Sequence, residues 1–184
     1  MKKHLFLLTT LMPGAALAHP GHDIGTLSAG MAHPLGGADH ILAMVALGLL
    51  AAQVGGRPLW ALPVTFVSAM LAGGMLGFAG LGFPAVEPVI LASVIVLGAM
   101  VALALRAPMP VLIAMVAVFG AAHGWAHGAE GPSAGILAYA AGFALATAAL
   151  HGAGLLAGRA IPALALRGAG MLAALSGAAL VMAG

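Results

Sequence analysis

The sequence contains no cysteine. That excludes disulfides, iron–sulfur clusters and thiolate metal sites, so any metal must be held by nitrogen and oxygen donors. Charge is almost as scarce: six Lys and Arg and four Asp and Glu in 184 residues, or 5%. Aromatic residues also make up only 5%, with a single tyrosine. A chain so poor in charge carries no basic face for nucleic acid. It also contains no G-x-x-x-x-G-K-[ST] stretch, which excludes a P-loop for ATP hydrolysis. The sequence pI near 9.7 misleads, because Lys2 and Lys3 lie in a segment expected to be removed. Without them, Arg57, Arg106, Arg159 and Arg167 balance Asp23, Asp39, Glu87 and Glu130.

What is present is apolar. Hydrophobic residues make up 63% of the chain, mean hydropathy is +1.16, and there are 28 glycines. Long apolar stretches of this kind mean an all-α polytopic membrane protein, with no room for a separate soluble domain. At the N-terminus, Lys2, Lys3 and His4 precede an apolar run from Leu5 to Met12, followed by Pro13-Gly14 and Ala16-Leu17-Ala18. A basic start, a short apolar core and an A-x-A end predict a cleavable signal peptide over 1–18. The mature chain would then begin with a periplasmic tip, 19–27, in which His19, His22 and Asp23 could collect a metal ion; a plain flexible tail is the alternative.

A six-transmembrane-helix bundle is expected over 28–184. The apolar segments lie near 28–54, 59–81, 86–106, 110–129, 133–157 and 163–183, separated by Gly, Pro or charge. With the N-terminus outside, Arg57, Arg106, Arg159 and Arg167 all fall in loops on the cytoplasmic side, as the positive-inside rule requires. The protein is therefore expected in the bacterial cytoplasmic (inner) membrane. G-x-x-x-G spacings occur at Gly73/Gly77, Gly120/Gly124/Gly128 and Gly154/Gly158. Of these, only the triple carries weight, because short matches arise by chance in a glycine-rich chain.

The ionisable groups are concentrated in two stretches. His123, His127 and Glu130 stand at i, i+4 and i+7, so one helical face carries all three. H-x-x-x-H on a helix can grip one metal ion. His33 and His40 share a stripe if a helix runs through Pro34, but Pro34 favours a helix start or kink there, and Gly36-Gly37 eases an irregular backbone. Asp39 is either a direct ligand or the partner that orients an imidazole. In the expected topology the first span runs inward and the fourth outward, so the two stretches meet at one level near the outer surface. His151, about 27 Å along the fifth span at 1.5 Å per residue, is either an inner way-station or an interfacial histidine without a role. Glu87 reads as a solvated loop charge, and Met31, Met44, Met70, Met75, Met100 and Met115 as apolar filler.

At these residues the chain resembles the HupE/UreJ family of small membrane proteins. His33-Pro34…Gly37…Asp39-His40 and His123-Gly124…His127-Gly128…Glu130 look like that family's two signature motifs, and the resemblance covers essentially the whole chain. It implies a nickel permease (cobalt in some members) that supplies hydrogenase or urease maturation. It also makes His33, Asp39, His40, His123, His127 and Glu130 the expected metal-handling residues. One departure is Ala122, where the family motif commonly has an aromatic residue.

The expectation is thus a secondary permease, not an enzyme, carrying Ni2+ (Co2+ or Zn2+ would suit the same donors) and holding no resident cofactor. Its partners are the metal ion and the lipid bilayer; a homo-oligomer is left open. The competing reading is an intramembrane metal-dependent hydrolase or oxidase, and a haem carrier with two opposed histidines ranks below it. H-E-x-x-H is absent, but three ligands with Glu130 as base would satisfy catalytic zinc. Only five histidines lie in spans, too few for a di-iron desaturase.

Overall fold

A computed structural model describes residues 25–183. The expected signal peptide with cleavage after Ala18, and the His19/His22 tip, lie outside the described residues. Within them the chain is all-helical, with no strand. The helices are α1 Leu27–Ala32, α2 Ala38–Val54, α3 Pro58–Phe78, α4 Val86–Ala102, α5 Met109–Ala129, α6 Ile136–Ala160 and α7 Ala163–Ala183. A three-residue 3-10 turn, His33–Leu35, joins α1 to α2.

Local chemistry sets these limits. Thr26 caps α1, its hydroxyl accepting from the Ala29 N–H at 3.1 Å. Pro58 opens α3, where its missing N–H costs nothing. Gly55, Gly56, Gly80 and Gly135 adopt positive φ at the connections.

Two expected spans differ from what folds. The first, 28–54, is not one rod: α1 and α2 meet at 85°. Pro34 cannot donate to the preceding turn, and Gly37 leaves the helical region at φ −112°, ψ 127°. The third, 86–106, stops at Ala102, so α4 is 17 residues and about 26 Å long. Four helices (α3, α5, α6 and α7) are long and apolar enough to cross a membrane alone, or five spans if the bent α1–α2 pair counts as one. Large apolar side chains such as Leu137, Leu164 and Met182 lie more than four-fifths exposed. That outer surface suits acyl chains rather than water, and the protein is a multi-pass membrane protein.

Backbone-to-backbone contact holds the bundle together. Gly120, Gly124 and Gly128 of α5 lie on the backbones of Phe66, Met70 and Gly74 of α3, and Gly73 and Gly77 return the contact against Ala121 and Trp125. Gly154 of α6 lies on the Val45 backbone of α2 in the same way, and Gly158 packs on the Ala52 methyl. All three G-x-x-x-G stripes are therefore interfaces, and the chance reading of two of them is corrected. Met44, Leu47, Leu50, Leu62, Phe66, Leu97, Leu112 and Val116 fill the interior between α2, α3, α4 and α5.

The two ends of the bundle differ. Arg57 precedes α3, Arg106 follows α4, Arg159 ends α6 and Arg167 begins α7, so all four lie at one end. Arg167 Nε donates to the Ala102 carbonyl at 2.8 Å and caps α4 there. Trp60, exposed in the first turn of α3, is at the same end. At the other end α2 begins, α5 ends, and Trp125 Nε1 donates to the Leu81 carbonyl at 2.5 Å, tying the α3–α4 connection to α5.

Candidate metal-handling site

The two histidine stretches meet at the end of the bundle opposite the arginines. The 3-10 turn presents His33, the first turn of α2 presents Asp39 and His40, and the last two turns of α5 present His123 and His127. Their rings form a continuous ladder. Centroids are 4.6 Å apart for His33–His127, 4.5 Å for His127–His40 and 5.0 Å for His40–His123. The ladder runs from exposed His33, through His127 at 8% exposure, to His123 at 0%.

Hydrogen-bond partners assign the tautomers. Asp39 Oδ1 lies 2.9 Å from His40 Nδ1, and a carboxylate only accepts, so His40 carries its proton on Nδ1. His40 Nε2 is then an acceptor, and His127 Nε2–H donates to it at 2.5 Å. This leaves His127 Nδ1 as a bare lone pair. His123 Nδ1–H donates to the Phe119 carbonyl at 2.9 Å, so its Nε2 is bare as well. Both bare nitrogens are buried and have no partner. Leaving such groups unsatisfied costs about 1–3 kcal/mol each, a penalty that a ligand in the pocket would offset.

As they stand, no three His, Asp or Glu side chains among the described residues are arranged to hold a metal ion. The reason is visible in the ladder. His40 Nε2 and His127 Nε2 face each other across the single proton of their hydrogen bond. An ion that takes both would displace that proton.

Asp39 takes the orienting alternative in this arrangement, through its contact with His40. Glu130, expected on the same face as His123 and His127, is the C-cap of α5 and lies exposed at the rim, its carboxylate without a hydrogen bond among the described residues. His151 is not in the ladder. It sits about 22 Å along α6 from Ile136, nearer than expected because α6 begins later, and it is buried rather than interfacial. Glu87 is exposed in the first turn of α4, not in a loop.

Sequence reasoning missed the walls. Phe143 packs on His127 at 4.4 Å, Tyr139 on His33 at 5.7 Å, and Phe66 on His123 at 5.3 Å. The lone tyrosine was the one available signal. Gly37 does more than ease an irregular backbone: a Cβ there would come within 2.6 Å of Asp39 Oδ1 and 2.8 Å of His40 Nδ1. Its missing side chain is what lets that pair form.

A bundle of apolar helices enclosing a half-partnered imidazole ladder, reached from one end, defines a multi-pass membrane protein built around an internal polar site. The chain matches the family described as HupE / UreJ protein over residues 7–180 and belongs to it. The Protein HupE of Rhizobium leguminosarum bv. viciae is 43% identical over 159 residues, covering 83% of each chain. No solved structure matches. The family is associated with nickel and cobalt transport.

Proposed function

We propose that the protein is a secondary permease that moves Ni2+, or Co2+, from periplasm to cytoplasm through the His/Asp/Glu site between α2 and α5. The observation that carries this reading is the ladder itself: four imidazoles from three separate elements, graded from exposed to fully buried, with bare nitrogens inside an apolar bundle. Intramembrane ionisable groups mark ion pathways, and neutral imidazole suits a borderline transition metal.

In this reading the bent α1–α2 pair and the short α4 complete six spans. The histidine end faces the periplasm, and the arginine end faces the cytoplasm of a bacterial inner membrane. A signal peptide would export the N-terminus and leave His19 and His22 to gather ions outside. His33 and Glu130 receive the ion at the rim. His40, His127 and His123 then replace its hydration shell, while Asp39 holds the His40 ring. A divalent ion moving inward gains about 4.6 kcal/mol per 100 mV of membrane potential, so uptake needs no ATP. The imported metal would supply hydrogenase or urease maturation.

The test is influx of radiolabelled nickel into proteoliposomes, with cobalt and zinc as competitors. His40→Ala and His127→Ala should each abolish saturable influx. Unchanged influx in both would discard the site.

A further inference from the structure

The chain of ring contacts does not stop at His123. Phe66, fully buried, packs on His123 at 5.3 Å and also meets His151 edge-on, with centroids 5.1 Å apart and planes at 85°. A phenyl ring therefore lies between two imidazoles. His151 is 1% exposed, and neither of its ring nitrogens has a partner. A histidine kept for packing would bond a neighbouring carbonyl or hydroxyl. His151 does not. It borders a groove of about 370 Å3 between α3 and α6, lined also by Leu59, Pro63, Val67 and Ser68. Pro63 has no N–H to give the Leu59 carbonyl, so α3 lacks one helical hydrogen bond beside the groove.

We propose that His151 is a second, inner metal-ion station, and that the Phe66 ring is the partition between it and the outer ladder. This rests on the permease reading and adds a site and a barrier to it. His151 lies deeper than His123, toward the arginine end, where an ion leaving the ladder inward must pass. One imidazole with neutral oxygens binds a divalent ion weakly, which suits a station from which the ion must be released. At rest the apolar ring of Phe66 excludes a hydrated ion. Its backbone is pressed against Gly120, so the partition opens by rotation of the ring rather than by movement of α3.

The experiment uses the full chain and Ni2+ alone, with binding measured by equilibrium dialysis and influx in proteoliposomes. His151→Gln, which keeps a polar side chain of similar length, should bind one ion fewer than the parent and keep the parent's tighter site, with influx lowered at least about tenfold. Phe66→Leu should speed influx and Phe66→Trp should slow it, each at parental ion stoichiometry. Parental stoichiometry or parental influx in His151→Gln overturns the inference. So do parental rates in both Phe66 variants, which decide the matter if His151→Gln does not fold. Failure of the underlying permease reading looks different: the parent itself binds no Ni2+, or His127→Ala transports normally.

Discussion

At the residue scale the site depends on atoms that cannot be exchanged for near neighbours. Asp39 holds the His40 proton on Nδ1 and so sets which nitrogen faces the pocket. Loss of such an orienting partner typically weakens metal affinity about 10–100-fold, so Asp39→Asn should raise the Ni2+ dissociation constant by that factor in dialysis. Gly37→Ala should do nearly the same without removing any ligand, because its methyl would push Asp39 and His40 apart. Normal Ni2+ affinity in Gly37→Ala would show that the Asp39–His40 contact is dispensable. The pH dependence has a definite sign. The binding form of imidazole is neutral, free histidine titrates near 6.5, and protons compete with the metal, so influx should fall as the outside pH drops through about 6 and recover above it.

At the element scale, small residues decide how closely helices approach, and hence whether the ladder can form. The α3–α5 seam brings backbones together at Gly120, Gly124 and Gly128, which presses the histidine face of α5 into the bundle. Gly124→Ala would place a methyl on the Met70 carbonyl. It should destabilise the protein by about 1–3 kcal/mol, read as a lower melting temperature in detergent. Gly152→Ala is the control, since a Cβ there meets open space. It should be neutral, or stabilising by up to about 1 kcal/mol through helix propensity. Equal melting temperatures for the two variants would remove the seam from the account. The break between α1 and α2 belongs to this scale too. Pro34 and Gly36-Gly37 predict an irregular backbone at that level, but not an 85° turn. That angle comes from α1 packing across α6, where Gly30 lies on Tyr139 and Gly142 lies on Leu27.

At the scale of the whole molecule, the distribution of charge carries the argument. All four arginines of the described residues stand at one end and the histidine ladder at the other. Because the chain has no cysteine, a single introduced thiol reports its side without background. Ser133→Cys, exposed beyond α5, should react with a membrane-impermeant thiol reagent in intact spheroplasts. Leu105→Cys, exposed between α4 and α5, should react only after permeabilisation. Labelling of Leu105→Cys from outside would reverse the proposed orientation, and with it the proposed direction of transport.

The sequence by itself determined the solvent, the helical class and the donor chemistry available at the site, but not the break between α1 and α2 or the early end of α4. Scarce charge and long apolar runs can be satisfied only by helices in lipid, and His33, Asp39, His40, His123 and His127 are legible because ionisable groups in such runs are rare. Only the tertiary structure decided which nitrogens are bare, that Asp39 contacts His40 through Nδ1, and that Phe66 lies between His123 and His151. Helical periodicity says which face a side chain occupies within one element. The partners it meets depend on how closely two backbones approach and at what angle, and those are properties of pairs of helices far apart in the chain.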